Sequence, residues 1–201
     1  MVIQLKKGNS ISLKKEAPKL NKIMLGLGWD MAKSPARRNL LDLFKASTTI
    51  DLDSSVLCLN ASEKLKGKND VVYYANLHHS SGAIHHQGDN LTGEGEGDDE
   101  QILVELNKIP EYISSLLFTV NIYMGKERKQ DFSGIQNAFV RLVDLSNNRE
   151  IAYYKLSESA YTNQTLMKMA ELRRTREGWQ MKAIGEGSQY SLDDLVKIYR
   201  N

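Results

Sequence analysis

The 201-residue chain has a single cysteine, Cys58. No disulfide closes within it, so the fold must rest on buried apolar area, and the composition fits a reducing compartment. No apolar run approaches the roughly 20 residues of a membrane helix. The N-terminal MVIQLKKGNSISL lacks an apolar segment long enough for a secretory leader. These absences lead us to expect a soluble, cytoplasmic protein. No proline- or serine-rich linker and no internal repeat divides the chain, so one domain is expected over residues 1–201. No Ser–His, Cys–His or nucleophile-elbow arrangement is visible, and the D-x-D-x-D-G spacing of an EF-hand is missing.

The most informative absence is local. Gly88–Glu100, GDNLTGEGEGDDE, contains no lysine or arginine. It holds Asp89, Glu94, Glu96, Asp98, Asp99 and Glu100, with glycines at 88, 93, 95 and 97. Carboxylates at such spacing repel one another and require water or a hard cation to offset that repulsion. Carboxylates, the Asn90 carbonyl, the Thr92 hydroxyl and glycine-freed backbone carbonyls are the oxygen donors that calcium prefers. A disordered acidic linker is the alternative, but the stretch sits between two strand patterns. A phosphate cradle is disfavoured, because Glu94 and Glu96 would repel the anion and no basic residue follows. Of 25 acidic residues six lie here, leaving 19 against 27 basic ones elsewhere. A mildly basic body therefore carries one concentrated acidic loop, an arrangement that attracts cations locally.

The rest of the chain reads as short strands. Val2–Leu5 and Ile11–Leu13 flank Gly8–Asn9 as a hairpin or two strands. Lys22–Asp30 places Ile23, Leu25 and Leu27 on one face, while Gly26 and Gly28 admit a close backbone approach or a bulge. Ile50–Asn60 carries Asp51 and Asp53 on one face at its start; two same-face carboxylates there are costly unless paired or metal-bound. Val71–Ala75 is extended and Asn76 closes it. His78, His79, His85 and His86 all fall in one presumed hairpin, whose reading is a solvated tip, with a transition-metal or pH-sensitive site as the sharper alternative. Gln101–Leu106, Leu116–Tyr123, Ala138–Leu145 and Glu150–Leu156 continue the series, the last two turning at Asn147–Asn148. Leu166–Arg174 and a second arm turning at Glu177–Gly178 read as another hairpin. Ser191–Arg200 has an N-cap serine, acids in its first turn and a Leu192/Leu195/Val196/Tyr199 stripe, the pattern of a helix. Ala36–Ala46 reads as a short basic helical insert. The sum is an all-β, antiparallel sandwich of two sheets with a C-terminal helix. Asp30, Asp51, Asp53, Asn76 and the acidic loop fall at strand ends that one end of such a sandwich brings together.

GLGWD at 26–30, DLDSS at 51–55, GDNLTGEGEGDDE at 88–100 and QNAFVRLVD at 136–144 together resemble the TerD family of tellurium-resistance proteins. The similarity runs from the KKGNSISL start to the C-terminal helix. The resemblance implies a β-sandwich binding calcium, two ions, through its acidic loops. It also implies a cytoplasmic, non-catalytic role in bacterial stress resistance, in complexes with other resistance proteins at the inner face of the membrane and without nucleic acid. Asp30, Asp51, Asp53, Asn76, Asp89, Asn90, Glu94, Glu96, Asp98, Asp99 and Glu100 match the motif's polar positions and form the candidate metal site. The sequence departs from the family pattern in the Ala36–Ala46 insert and at Tyr123–Met124, where His-Asp is expected. A metal-dependent enzyme activating water in the acidic cleft, and a purely structural scaffold, stand as alternatives.

Overall fold

The computed structural model describes residues 1–31, 50–88, 97–156 and 162–200. The Ala36–Ala46 insert and the acidic positions Asp89, Asn90, Glu94 and Glu96 therefore lie outside the described residues. The first sheet contains β1 (Ile3–Gln4), β10 (Arg149–Lys155), β9 (Ile135–Asp144), β3 (Lys22–Met31), β7 (Glu100–Glu105) and β6 (Ile84–His86), in that order. The second contains β2 (Ser10–Ser12), β12 (Gly178–Ser188), β11 (Leu166–Thr175), β8 (Ser115–Ile122), β4 (Leu52–Leu59) and β5 (Val71–Val72). All neighbours are antiparallel except β1 and β10, which run parallel.

The period-2 pattern explains which faces meet. On β7, Ile102 and Val104 are buried while Gln101 and Leu103 are partly exposed, so one face of the first sheet turns inward. Leu116, Phe118, Val120 and Ile122 of β8 join Leu52, Val56 and Cys58 of β4 in the same core. The second sheet is covered on its other face too. Leu57, Leu59, Leu117 and Leu166 pack there under Leu195, with Leu192, Val196 and Tyr199 beside it. These belong to α3 (Leu192–Arg200), whose predicted stripe is the one buried. Double coverage is why β4 and β8 are buried along their whole length instead of at every second residue. Ser191 caps α3 reciprocally: its hydroxyl accepts the Asp194 N–H, and the Asp194 carboxylate accepts the Ser191 N–H.

The N-terminal pair is not a hairpin. Gly8 adopts φ +82°, a turn conformation suited to one, yet β1 joins β10 and β2 joins β12. The turn instead latches onto β12, with Gly8 N–H donating to the Ala183 carbonyl and Ala183 N–H to that of Asn9. The first dozen residues thus bridge the two sheets. Leu13–Glu16 and Gly125–Arg128 each form a single helical turn, α1 and α2. β3 shows both features expected of its glycines. Its register with β9 shifts between Gly28 and Asp30. A β-carbon at Gly26 would collide with the Asp98 carboxyl, and one at Gly28 with the Phe139 ring and the Gly97 carbonyl.

The pairings place β3, β6, β8, β10 and β12 ending, and β4, β7, β9 and β11 beginning, at one end of the sandwich. Asp30, Asp51 and Asp98–Glu100 arrive at that end from separate elements, as the sequence led us to expect.

Candidate functional site

Glu100 is the first residue of β7 and sits in phase with Ile102 and Val104, so its side chain points between the sheets and is 1% exposed. One carboxylate oxygen, Oε2, accepts the Ser54 N–H at 2.7 Å from the opposite sheet, and His86 Nε2 lies 3.3 Å from it. The other oxygen, Oε1, is buried with no hydrogen-bond partner. A buried charged oxygen left unmatched costs on the order of 1–3 kcal/mol or more. Asp51, just ahead of β4, also has a buried unmatched oxygen, Oδ1. Burial pushes its carboxyl above the ordinary range; Arg128 pulls it back and Glu100 pushes it further up.

Asp99 continues the row. Its carboxylate accepts the Trp29 N–H at 2.7 Å, and its own N–H donates to the Leu27 carbonyl, pinning the loop to β3. Burial raises its carboxyl, the Trp29 bond lowers it, and Asp30, Glu100 and Asp98 each push it up again. Asp30 is exposed and accepts the Asn137 amide at 2.7 Å; Asn137 in turn accepts Lys155 at 2.6 Å.

Asp98 has a different role. Arg141 grips it in a fork, Nε to Oδ1 at 2.6 Å and a terminal nitrogen to Oδ2 at 2.9 Å, with Gln101 adding a third donor. The Asp98 side chain is fully buried over Gly26, so this carboxylate is charge-compensated by protein. Asp53 and Asn76 also turn elsewhere. Asp53 lies on the outer face of the second sheet opposite Asn121, whose amide donates to it at 3.4 Å. Asn76 donates its amide to the Val71 carbonyl and closes the Tyr73–Asn76 turn. Of the predicted set, the described residues thus link Asp51 to Glu100 and Asp99 to Asp30 and Glu100, while Asp89, Asn90, Glu94 and Glu96 lie outside the described residues. Among the described residues no three acidic, histidine or cysteine side chains converge to hold an ion. The orphaned oxygens of Glu100 and Asp51 are hard carboxylate donors, and that chemistry fits calcium.

The four histidines divide in two. His86 Nδ1 accepts the Gly88 N–H, so by this hydrogen-bond network its proton sits on Nε2, facing Ser54 Oγ at 2.9 Å and Glu100. This is not a nucleophile triad. In a triad the serine and the acid occupy opposite ring nitrogens, whereas here both sit at Nε2. His79 is buried against Asp70, whose carboxylate also accepts the Tyr112 hydroxyl and the N–H groups of Lys66 and Gly67. That hub ties the 66–70 turn to His79 and Tyr112 and was invisible in the sequence, its members lying up to 42 positions from Asp70. His78 and His85 form an outer cross-strand pair with their Nδ1 atoms 2.9 Å apart. Arg141, Asn121 and Asp70 were not singled out from sequence; an arginine on an inward-reading strand opposite a glycine was the only local signal.

A TerD domain model matches residues 1–199. The chain is 43% identical over 200 residues to stress response protein SCP2 of Bacillus subtilis (strain 168), covering 99% of this chain and all of that one. It is 37% identical to tellurium resistance protein TerD of Serratia marcescens, covering 99% and 97%. The fold matches the crystal structure of a homologue of telluride resistance protein from Streptomyces coelicolor A3(2), with TM-score 0.64 at 19% identity, covering 88% of this chain and 95% of that one. The chain belongs to the TerD family.

Proposed function

We propose that this protein is a calcium-dependent, non-catalytic interaction module of a bacterial stress- and tellurium-resistance system. It works in the cytoplasm, with other resistance proteins at the inner membrane surface as its partners. The ions, two in number, bind where Asp51, Asp99, Glu100 and Asp30 adjoin the loop bearing Asp89, Asn90, Glu94 and Glu96. The observation that carries this reading is the Glu100 carboxylate, held inward with one oxygen matched and the other orphaned next to Asp51. A protein donor on that oxygen would make it structural; an unmatched one calls for a cation.

Asp98 supports the site from behind, its charge already matched by Arg141. It pins the acidic loop against Gly26, so the neighbouring Asp99 and Glu100 are aimed without further ordering cost. No helix among the described residues is long and apolar enough to cross a membrane, so a role at the membrane surface must come from docking. The proposal is tested by melting the protein in EDTA, calcium and magnesium. Calcium raises the melting temperature and magnesium does so less, because magnesium demands a rigid octahedron that a glycine-rich loop does not supply. Equal melting in all three at millimolar ion overturns it. An enzyme would instead show turnover lost with the ion.

A further inference from the structure

On the outer face of the second sheet lies a cleft of about 400 Å³. That is within the size range of small-molecule sites, about 300–1,000 Å³. The geometry points to a binding site for a small alkylammonium, an aliphatic amine or diamine in its protonated form, seated between Asn121 and the Tyr74–Tyr123 wall.

The floor is Asn121, 7% exposed, at the end of β8. Its amide nitrogen donates to Asp53, which fixes the orientation of the group: turned over, two oxygens would face each other. Its carbonyl oxygen, Oδ1, is then buried with no partner. A ligand that satisfies it must bring an N–H or O–H donor. The adjacent Thr165 hydroxyl does not supply one, because it donates to the Tyr190 carbonyl at 2.9 Å.

The walls are aromatic. Tyr74 meets Tyr73 edge-on at 5.2 Å and Tyr123 at 6.0 Å. Tyr74, Tyr123 and Tyr190 are all substantially exposed, a concentration of wet aromatic surface in one place. Arg128 already lies over the Tyr123 ring at 5.2 Å, so this wall accepts a cation on a π-face within the protein itself.

Among the described residues, Asp53, Glu127 and Asp193 line the cleft, while the Lys126 ammonium is drawn off to Asp194 at 2.9 Å and Arg128 lies over the Tyr123 ring. A phosphate or carboxylate ligand is repelled by this set, and a purely apolar one leaves Asn121 unmatched. A protonated amine satisfies all three elements: N–H donors for Asn121 Oδ1, charge for Glu127 and Asp193, and a methylene chain for the tyrosines.

The test is calorimetric titration of the full chain in EDTA with 1,4-diaminobutane, and with 1,4-butanediol as the neutral analogue. Saturable diamine binding, no binding of the diol, and an affinity about tenfold weaker in Tyr74→Ala and in Asp193→Asn support the site. Both positions are exposed, so neither variant threatens the fold, which the melting temperature checks. Tetramethylammonium, with no N–H, binds at least about tenfold more weakly than the diamine if Asn121 is the floor. Equal binding of tetramethylammonium or of the diol, tighter binding of calcium or inorganic phosphate at the same residues, or no saturation by about 10 mM diamine overturns it.

Discussion

Glu100→Gln separates a calcium ligand from a structural acceptor by the sign of its effect. The Glu100 carboxylate is 1% exposed, accepts the Ser54 N–H at 2.7 Å beside His86 Nε2 at 3.3 Å, and leaves Oε1 unmatched. Glutamine keeps a carbonyl for the Ser54 N–H and removes the buried charge. The charge carries a desolvation cost of several kcal/mol, and the new amide hydrogens, themselves unmatched, give back about 1–3 kcal/mol. The net is a gain of about 1–2 kcal/mol, or roughly 2–8 °C in melting temperature for a chain of this size, measured in EDTA. In calcium that advantage shrinks by about 1.3 kcal/mol or more. At a calcium concentration 100 times its dissociation constant the parent gains about 2.7 kcal/mol. Losing a charged ligand that weakens binding at least tenfold cuts the gain to about 1.4 kcal/mol or less. Differential scanning fluorimetry in both buffers reads both numbers. A variant less stable than the parent in EDTA, with the calcium shift intact, refutes the reasoning and makes Glu100 a structural acceptor.

Three further outcomes are expected. Asp51 and Asp99 both have carboxyls raised in the folded state above the value of 3.8 for a free aspartate, chiefly by burial. Their contribution favours folding below that value and is lost as pH rises through the raised folded range. In EDTA at neutral pH the Asp51→Asn/Asp99→Asn variant is therefore more stable than the parent, and urea melts show the gap closing as pH falls; a gap constant with pH argues against this. Arg141→Met strands the buried Asp98 carboxylate and costs roughly 2–4 kcal/mol in urea denaturation, discounted for the partial exposure of Arg141, while Asp98→Asn added to it recovers part of the loss. No recovery in that double variant means the arginine acts through packing alone. Cys58 is fully buried, and burial, aided by Asp70, pushes its thiol far above the usual range. It should be silent to a thiol reagent in the native protein and react stoichiometrically in denaturant.

The strands were legible because inward faces repeat every second residue; β3, β7 and β11 match the expected bounds within a residue, and β9 begins three residues earlier than expected. α3 was legible from its cap and stripe. At the N-terminus the sequence left a hairpin and two short strands open, because a turn's local chemistry does not say to which sheet each arm belongs; Gly8 fits a hairpin, yet the arms are two strands and β12 takes the turn. Within the site, the acids were visible as a repelling row, but their partners were not. Asp98 and Arg141 stand 43 positions apart, and only the packing of β9 beside β3 brings the guanidinium over Gly26. The histidines looked like one exposed tip. Side-chain alternation through β6 sends His86 inward and leaves His85 outward, and the bridge to His78 repeats that division with His79. Sequence spacing thus locates a charged end of the sandwich, while burial decides which of its carboxylates is left for an ion.

The most direct measurement is a crystal structure of the full chain grown in calcium, with anomalous scattering to identify the ion. The account predicts an ion about 2.3–2.6 Å from Glu100 Oε1 and Asp51 Oδ1, completed by oxygens of the 89–96 loop, with Asp98 still on Arg141. An ordered acidic loop with no ion there, and the orphaned Glu100 oxygen met by a protein or water donor, contradicts it.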